Sequence, residues 1–315
     1  MLETTVAGIK LNSVLMNASG CLCTTEDELT NLFNSKSGCV VSKSSTLNAR
    51  NGNQEPRLNI NINHNGLNSI NSMGLPNLGY KFYTEFGINN KTKPYIQSIY
   101  PFSLDEFNEM TIYIDNKIDY KQLIELNVSC PNLINKSTTT SFDIYESYMK
   151  LIKQNNYKNL IIGFKLSPLY ELSDFDTMSN LLLKYNTPFI TCINSIPNGL
   201  IVDYVNETTS IYPKNGLGGV GGAVIKPTAL SNVYNYFIRL NNKVNIIGCG
   251  GISTGIDAFE HILCGANAVQ IGTNLMWDGV ECFDKIGNEL IQIMKDKKYD
   301  SIDDFRGNIK NIKPN

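Results

Sequence analysis

The chain has 315 residues, 42% hydrophobic and 18% charged, with 27 Lys and Arg against 29 Asp and Glu. That length and apolar content suit one large domain with a substantial core and exclude a disordered chain. The net charge of -2 argues against a nucleic-acid coat, and no apolar run approaches the roughly 18 residues of a membrane span.

Met1–Asn12 has neither a cationic start nor an apolar core, so no signal or transit peptide is expected and the protein reads as cytoplasmic. Thr24 and Thr25 ahead of Glu28 mark a helix start and predict a helix over Glu26–Asn34. Short apolar runs then recur at Cys39–Ser42, Tyr95–Ile99, Leu123–Val128, Leu160–Leu166, Pro188–Ile193, Val244–Gly248 and Ala268–Ile271. They predict seven strands, with Ser69–Ser72 as a short eighth candidate. Helical periodicity fills the gaps at Ser103–Lys117, Asp143–Gln154, Phe175–Tyr185, Pro227–Leu240, Gly255–Cys264 and Gly279–Lys295, and Gly265 fits a helix stop. Alternating strands and helices predict a parallel α/β sheet. Eight strands would close a (β/α)8 TIM barrel, with an open doubly wound sheet as the competitor. No repeat or linker divides the chain, so 1–315 reads as one domain with short inserted loops, Gly216–Gly222 among them.

Eight cysteines are spread over the whole length without a CxxC pair, and there are only two histidines. No metal site has the usual spacing, and buried free thiols in a reducing compartment are expected. Asparagine is abundant, especially over 48–71, without forming a low-complexity tract.

The residues after each apolar run carry the chemical signal. They are Lys43 and Ser44, Asn71, Asn127, Lys165, Asn194 and Ser195, then Cys249-Gly250-Gly251, and last Gly272-Thr273. In a parallel barrel these strand ends share one face, where barrel enzymes work. Glycines after the last two strands suit a phosphate approached by backbone N–H groups. Gly216–Gly222 formally contains G-x-G-x-x-G, but no clean strand precedes it and no acidic residue follows about 20 positions on, so a phosphate-covering loop fits better than a dinucleotide fingerprint. Cys130 follows a strand end and is held out of a helix by Pro131, so its thiol can serve as nucleophile or base. His64 and His261 do not suit a Cys-His pair, the first in an Asn-rich loop and the second inside a helix. Together the amides and lysines ask for a planar polar ring and an anion. Lys43 suits a carboxylate or a flavin carbonyl, and Lys165 the charge of a reduced flavin.

The chain resembles the soluble class 1A dihydroorotate dehydrogenases over nearly its full length. The resemblance rests on Met16-Asn17-Ala18-Ser19-Gly20, Ser42-Lys43-Ser44, Glu55-Pro56-Arg57, Ser69–Asn77, Glu125-Leu126-Asn127, Ser129-Cys130-Pro131-Asn132, Asn194-Ser195, Gly218–Gly222, Lys226–Leu230, Gly250-Gly251-Ile252, Ile271-Gly272-Thr273 and Phe305-Arg306-Gly307. It implies an FMN-binding (β/α)8 barrel, usually a homodimer, that oxidises dihydroorotate to orotate in pyrimidine biosynthesis. Fumarate is the expected acceptor, leaving as succinate. Cys130 would be the base that takes the proton from carbon 5, with the hydride from carbon 6 passing to nitrogen 5 of FMN. Lys43 and Asn127 would complete the catalytic group. Asn71, Asn127, Asn132, Asn194 and Ser195 would hold the pyrimidine, Lys43 would sit near both substrate and flavin, and the backbone of Met73, Gly74 and Leu75 would lie near the carboxylate. Ala18, Ser19, Gly20, Lys43, Ser44, Asn71, Asn127, Lys165, Ile193, Gly222, Cys249, Gly250, Gly251, Gly272 and Thr273 would hold FMN. One departure falls beside the base: after Asn132 relatives usually continue Val-Pro-Gly-Lys-Pro-Gln, whereas this chain reads Leu133-Ile134-Asn135-Lys136-Ser137-Thr138.

Overall fold

A computed structural model describes residues 1–63, 66–128 and 142–312. Eight short strands form the centre: β1 (Leu15–Asn17), β2 (Val40–Val41), β3 (Tyr95–Ile99), β4 (Gln122–Asn127), β5 (Leu160–Leu166), β6 (Phe189–Cys192), β7 (Asn245–Cys249) and β8 (Ala268–Ile271). Neighbours in chain order pair in parallel from β2 round to β8, and β8 pairs with β1. The last seam, between β1 and β2, carries a parallel bridge at Met16 and Cys39. There the Asn17 side chain replaces a backbone rung, donating to Val41 O at 2.7 Å and accepting from Val41 N at 2.8 Å. The ring is therefore a (β/α)8 barrel, as expected.

Strand alternation decides what fills it. Successive side chains point to opposite faces, so Ile124 and Leu126 of β4 join the cluster under the helices while Leu123, Glu125 and Asn127 line the interior in rising order. The lowest interior layer is apolar and includes Met16, Val41, Ile96, Leu123, Phe189, Ile247 and Ala268. An antiparallel hairpin, Thr4–Val6 with Ile9–Leu11, closes that end by adding Val6 and Leu11 to the same cluster. Above it the inward positions turn polar.

The surrounding helices are α1 (Glu26–Asn34), α2 (Tyr80–Asn89), α3 (Leu104–Lys117), α4 (Phe142–Asn155), α5 (Leu172–Lys184), α6 (Lys226–Leu240), α7 (Gly255–Leu263), α8 (Thr273–Asp278) and α9 (Cys282–Lys297). The start of α1 is the expected capping box: Thr25 Oγ1 accepts from Glu28 N, and Glu28 returns to the Thr25 amide. Gly265 ends α7 with φ +120°, its N–H on Ile262 O.

Two expectations fail. The eighth barrel strand is Leu15–Asn17 and not Ser69–Ser72, because three residues carry no readable periodicity. The insertions are not loops. Ile196–Leu200, Leu217–Gly222, Gly66–Asn71 and Leu58–Asn63 form a four-stranded antiparallel sheet. Its strands enter and leave from the carboxyl ends of β2 and β6, so it stands over the mouth of the barrel.

Candidate active site

A cavity opens at the carboxyl ends of the barrel strands. Seven of the eight barrel strands, all but β3, reach it at or just beyond their carboxyl ends. Ala18, Ser19 and Gly20 come from β1, Lys43 and Ser44 from β2, Asn127 from β4, Lys165 from β5, and Ile193, Asn194 and Ser195 from β6. Cys249 ends β7 and Gly250 and Gly251 follow it, and Gly272 and Thr273 follow β8. The overlying sheet adds Asn71 and Gly222, and the segment after Asn71 adds Met73 and Leu75. Gly74, expected beside Met73, does not reach the wall; its α-carbon faces Asn53. Cys130 and Asn132 lie outside the described residues.

Sequence reasoning missed Cys21, Leu58, Ser69, Gly221, Ile225, Ile252, Ser253 and Met276, which also line the cavity. Ser69 was within reach: it lies two positions before Asn71 on one strand, so the two side chains share a face. Its Oγ lies 2.8 Å from Thr273 Oγ1 and ties the sheet to the loop after β8.

The polar side chains are held in place by one another. Asn127 Nδ2 donates to Ser44 Oγ at 3.0 Å, and that hydroxyl lies 3.0 Å from Ser19 Oγ and 2.9 Å from Ser98 Oγ. Asn194 Nδ2 donates to Asn127 Oδ1 at 3.5 Å, while Asn194 Oδ1 accepts from Ser195 N at 2.8 Å. Asn71 Nδ2 donates to Gly219 O at 3.2 Å across the sheet. Lys165 is buried and donates to Gln270 Oε1 at 2.7 Å. Burial works against its ammonium, but Cys249 and Glu125 more than offset that and raise its pKa above the ordinary lysine value. Burial pushes the Cys21 thiol up to about 12, which makes it a poor nucleophile at neutral pH.

The charge of the wall limits what it can hold. Among the described residues, the lining carries two lysines, Lys43 and Lys165, and no carboxylate. Such a wall favours an anion whose remainder is polar and planar. A backbone cradle lies on one side of it. Gly222 has φ +90°, and a Cβ there would lie 2.3 Å from Leu67 O. Gly251 has φ +74°, and its Cβ would lie 2.4 Å from Lys226 Cβ. Both positions demand glycine and bring bare main chain to the cavity. A phosphate-bearing flavin fits these residues: amides for its ring edge, lysines for its charge, glycine backbone for its phosphate.

The chain is similar to known proteins over nearly its full length. The family model described as dihydroorotate dehydrogenase matches residues 1–294. A dihydroorotate dehydrogenase (fumarate) of Kluyveromyces lactis is 41% identical over 317 residues, covering 99% of this chain and 98% of the relative. A protein assigned as dihydroorotate dehydrogenase A (fumarate) in Streptococcus agalactiae is 43% identical over 312 residues, 98% of each chain. A crystal structure of DHODH from Eimeria tenella, in complex with ferulenol, superposes with a TM-score of 0.80 at 18% identity, covering 97% of this chain and 88% of that one. That last likeness speaks to the barrel alone. The family model over residues 1–294 and the near-full-length relatives reach further, and by them the chain belongs to the dihydroorotate dehydrogenase family.

Proposed function

We propose that this protein oxidises dihydroorotate to orotate, with FMN in the barrel mouth and fumarate as the electron acceptor. The observation that carries the reading is the cavity wall, which combines two lysines, an asparagine cluster and no carboxylate among the described residues. Dihydroorotate is a cyclic diamide bearing one carboxylate, so it matches both halves of that chemistry. When bound, a flavin supplies a two-electron acceptor that no side chain can replace.

The chain's own residues do the rest. Asn71, Asn127 and Asn194 offer amide forks that pair with the ring's own amides and fix its plane. The hydrogen bonds of Asn127 to Ser44, Asn194 to Asn127 and Asn71 to Gly219 set that geometry before substrate arrives, so little ordering remains to be done on binding. Asn132 is proposed to join them, and Ser195 to stand beside them. Lys43, with the main chain of Met73 and Leu75, holds the carboxylate. Lys165 places a positive charge where negative charge develops during reduction. Ala18, Ser19, Gly20, Ser44, Ile193 and Gly222 are proposed to hold the flavin, with Cys249, Gly250, Gly251, Gly272 and Thr273 around its phosphate side.

The base is proposed to be Cys130, three positions beyond the end of β4 in sequence. A thiol titrates closer to neutrality than a hydroxyl and so accepts a proton with less tuning. Fumarate, a planar dicarboxylate, suits the same lysine-lined wall once orotate has left, which gives ping-pong turnover. A homodimer in the cytoplasm completes the proposal; among the described residues no helix is long and apolar enough to cross a membrane.

Anaerobic mixing of the flavin-loaded protein with dihydroorotate tests the reading. The yellow absorbance is expected to bleach, and fumarate to restore it, with Cys130→Ala slowing the bleaching by about a hundredfold or more. Absence of bleaching, or recovery with NAD or a quinone but not with fumarate, would overturn it.

A further inference from the structure

Glu125 is fully buried inside the barrel, one layer below the cavity, and does not line it. An ionised carboxylate in that position needs donors and a counter-charge. The donors are Thr191 Oγ1 and Gln270 Nε2, each 2.8 Å from Oε2, and Ser98 Oγ, 3.4 Å from Oε1. The counter-charge is reached through an intermediary: the other end of the Gln270 amide accepts from Lys165 Nζ at 2.7 Å. All three side chains come from inward positions on β4, β5 and β8.

The amide between the charges is the informative part. A direct Glu–Lys contact would draw the ammonium down into the barrel and cancel its field at the cavity. A neutral spacer with a donor at one end and an acceptor at the other keeps the lysine at the wall, paired but not quenched. We propose that Glu125 and Gln270 are positioning residues for Lys165: the amide fixes the ammonium at the wall, and the carboxylate behind it moderates the positive field felt by a bound flavin. The inference rests on the flavin reading above and adds to it a device that sets how readily the flavin is reduced.

Glu125→Gln keeps the shape and can keep both short hydrogen bonds while removing one negative charge. In a site of low effective dielectric the flavin should then accept electrons and anions more easily. The expected result is a higher reduction potential and tighter sulfite binding to the flavin, on the order of tenfold. Gln270→Leu should do the opposite by letting Lys165 collapse onto Glu125, weakening sulfite binding by about the same factor. In a Lys165→Met background the Gln270→Leu effect should vanish, since the amide acts through the lysine. That cycle needs no Glu125 variant, so it decides the matter even if Glu125→Gln does not fold. A flavin-loaded Glu125→Gln protein with unchanged or weaker sulfite affinity would overturn the inference, as would a Gln270→Leu effect that persists without Lys165. A wild-type chain that takes up no flavin would overturn the flavin reading itself.

Discussion

At the scale of a single residue, His261 shows how a buried side chain supports the site and leaves a measurable trace. It is fully buried on α7, with Nε2 3.0 Å from Gly250 O. A carbonyl can only accept, so Nε2 carries the proton. Nδ1 faces the main chain of β7, where a Cβ at Gly248 would lie 2.5 Å from it, and makes no hydrogen bond. No acceptor stands ready for a second proton, and burial lowers the pKa to about 4. An unfolded histidine titrates near 6.5, so between these values the unfolded chain takes up a proton that the native protein refuses. Stability from this residue is complete above about pH 6.5 and falls as pH drops towards 4, by about 3 kcal/mol in all. Urea denaturation of the wild type and His261→Gln at several pH values isolates the effect, because carboxylate contributions cancel in the difference. The glutamine can still donate to Gly250 O, and its stability should fall less steeply with acid; parallel curves would disprove the assignment.

At the scale of elements, the site depends on three pieces meeting at one glycine. The strand Leu217–Gly222 of the covering sheet leads through Ala223–Ile225 into α6, whose first residue, Lys226, packs against the turn after β7. Gly251 is the meeting point, with φ +74° and an imagined Cβ 2.9 Å from Lys226 Cα. Lys226 is itself fixed by ion pairs to Asp257 at 2.7 Å and Glu260 at 2.8 Å. Neither backbone can yield cheaply, so Gly251→Ala is expected to cost about 1–3 kcal/mol in local strain. That cost falls on the cradle and not on the core. FMN titration of the apoprotein should show affinity reduced tenfold or more while the far-ultraviolet circular dichroism is unchanged; wild-type affinity would refute this account. The barrel strands were readable because each is an apolar run bounded by breakers, and Tyr95–Ile99, Leu160–Leu166 and Ala268–Ile271 have the bounds the sequence suggests. The covering sheet was not read, although Leu-Asn-Ile-Asn-Ile-Asn over Leu58–Asn63 alternates with the period of a half-buried strand. Its asparagines suggested a loop; its own partner, Gly66–Asn71, follows at once, but the strand that extends the sheet, Leu217–Gly222, lies more than a hundred residues away. The cavity wall was legible from strand ends, because a parallel barrel puts them all on one face. Glu125 could have been found by the same parity, two positions before Asn127, but nothing local shows that Gln270 and Lys165 meet it.

At the scale of the molecule, the two ends of the barrel are divided between stability and chemistry. The lower end is sealed by the hairpin Thr4–Val6 and Ile9–Leu11, which turns at Ala7 and Gly8, both at positive φ. It is fixed by Ala7 N on Asn245 Oδ1 at 2.6 Å and Thr4 Oγ1 on Asn267 O at 2.8 Å. Val6 and Leu11 are fully buried against the apolar layer, and the polar layer of Ser98, Glu125, Thr191 and Gln270 separates them from the cavity. Leu11→Ala therefore opens a void where no ligand binds. Removing that side chain from a packed interior should cost about 2–5 kcal/mol. The loss should show as a lower urea midpoint with an unchanged slope, because the unfolded surface is the same. FMN and orotate affinities measured well below the transition should match the wild type, since the strand ends above the polar layer keep their hydrogen bonds. A variant that lost ligand affinity in step with its stability would mean that the hairpin shapes the mouth through the length of the barrel, and the separation of the two ends would have to be abandoned.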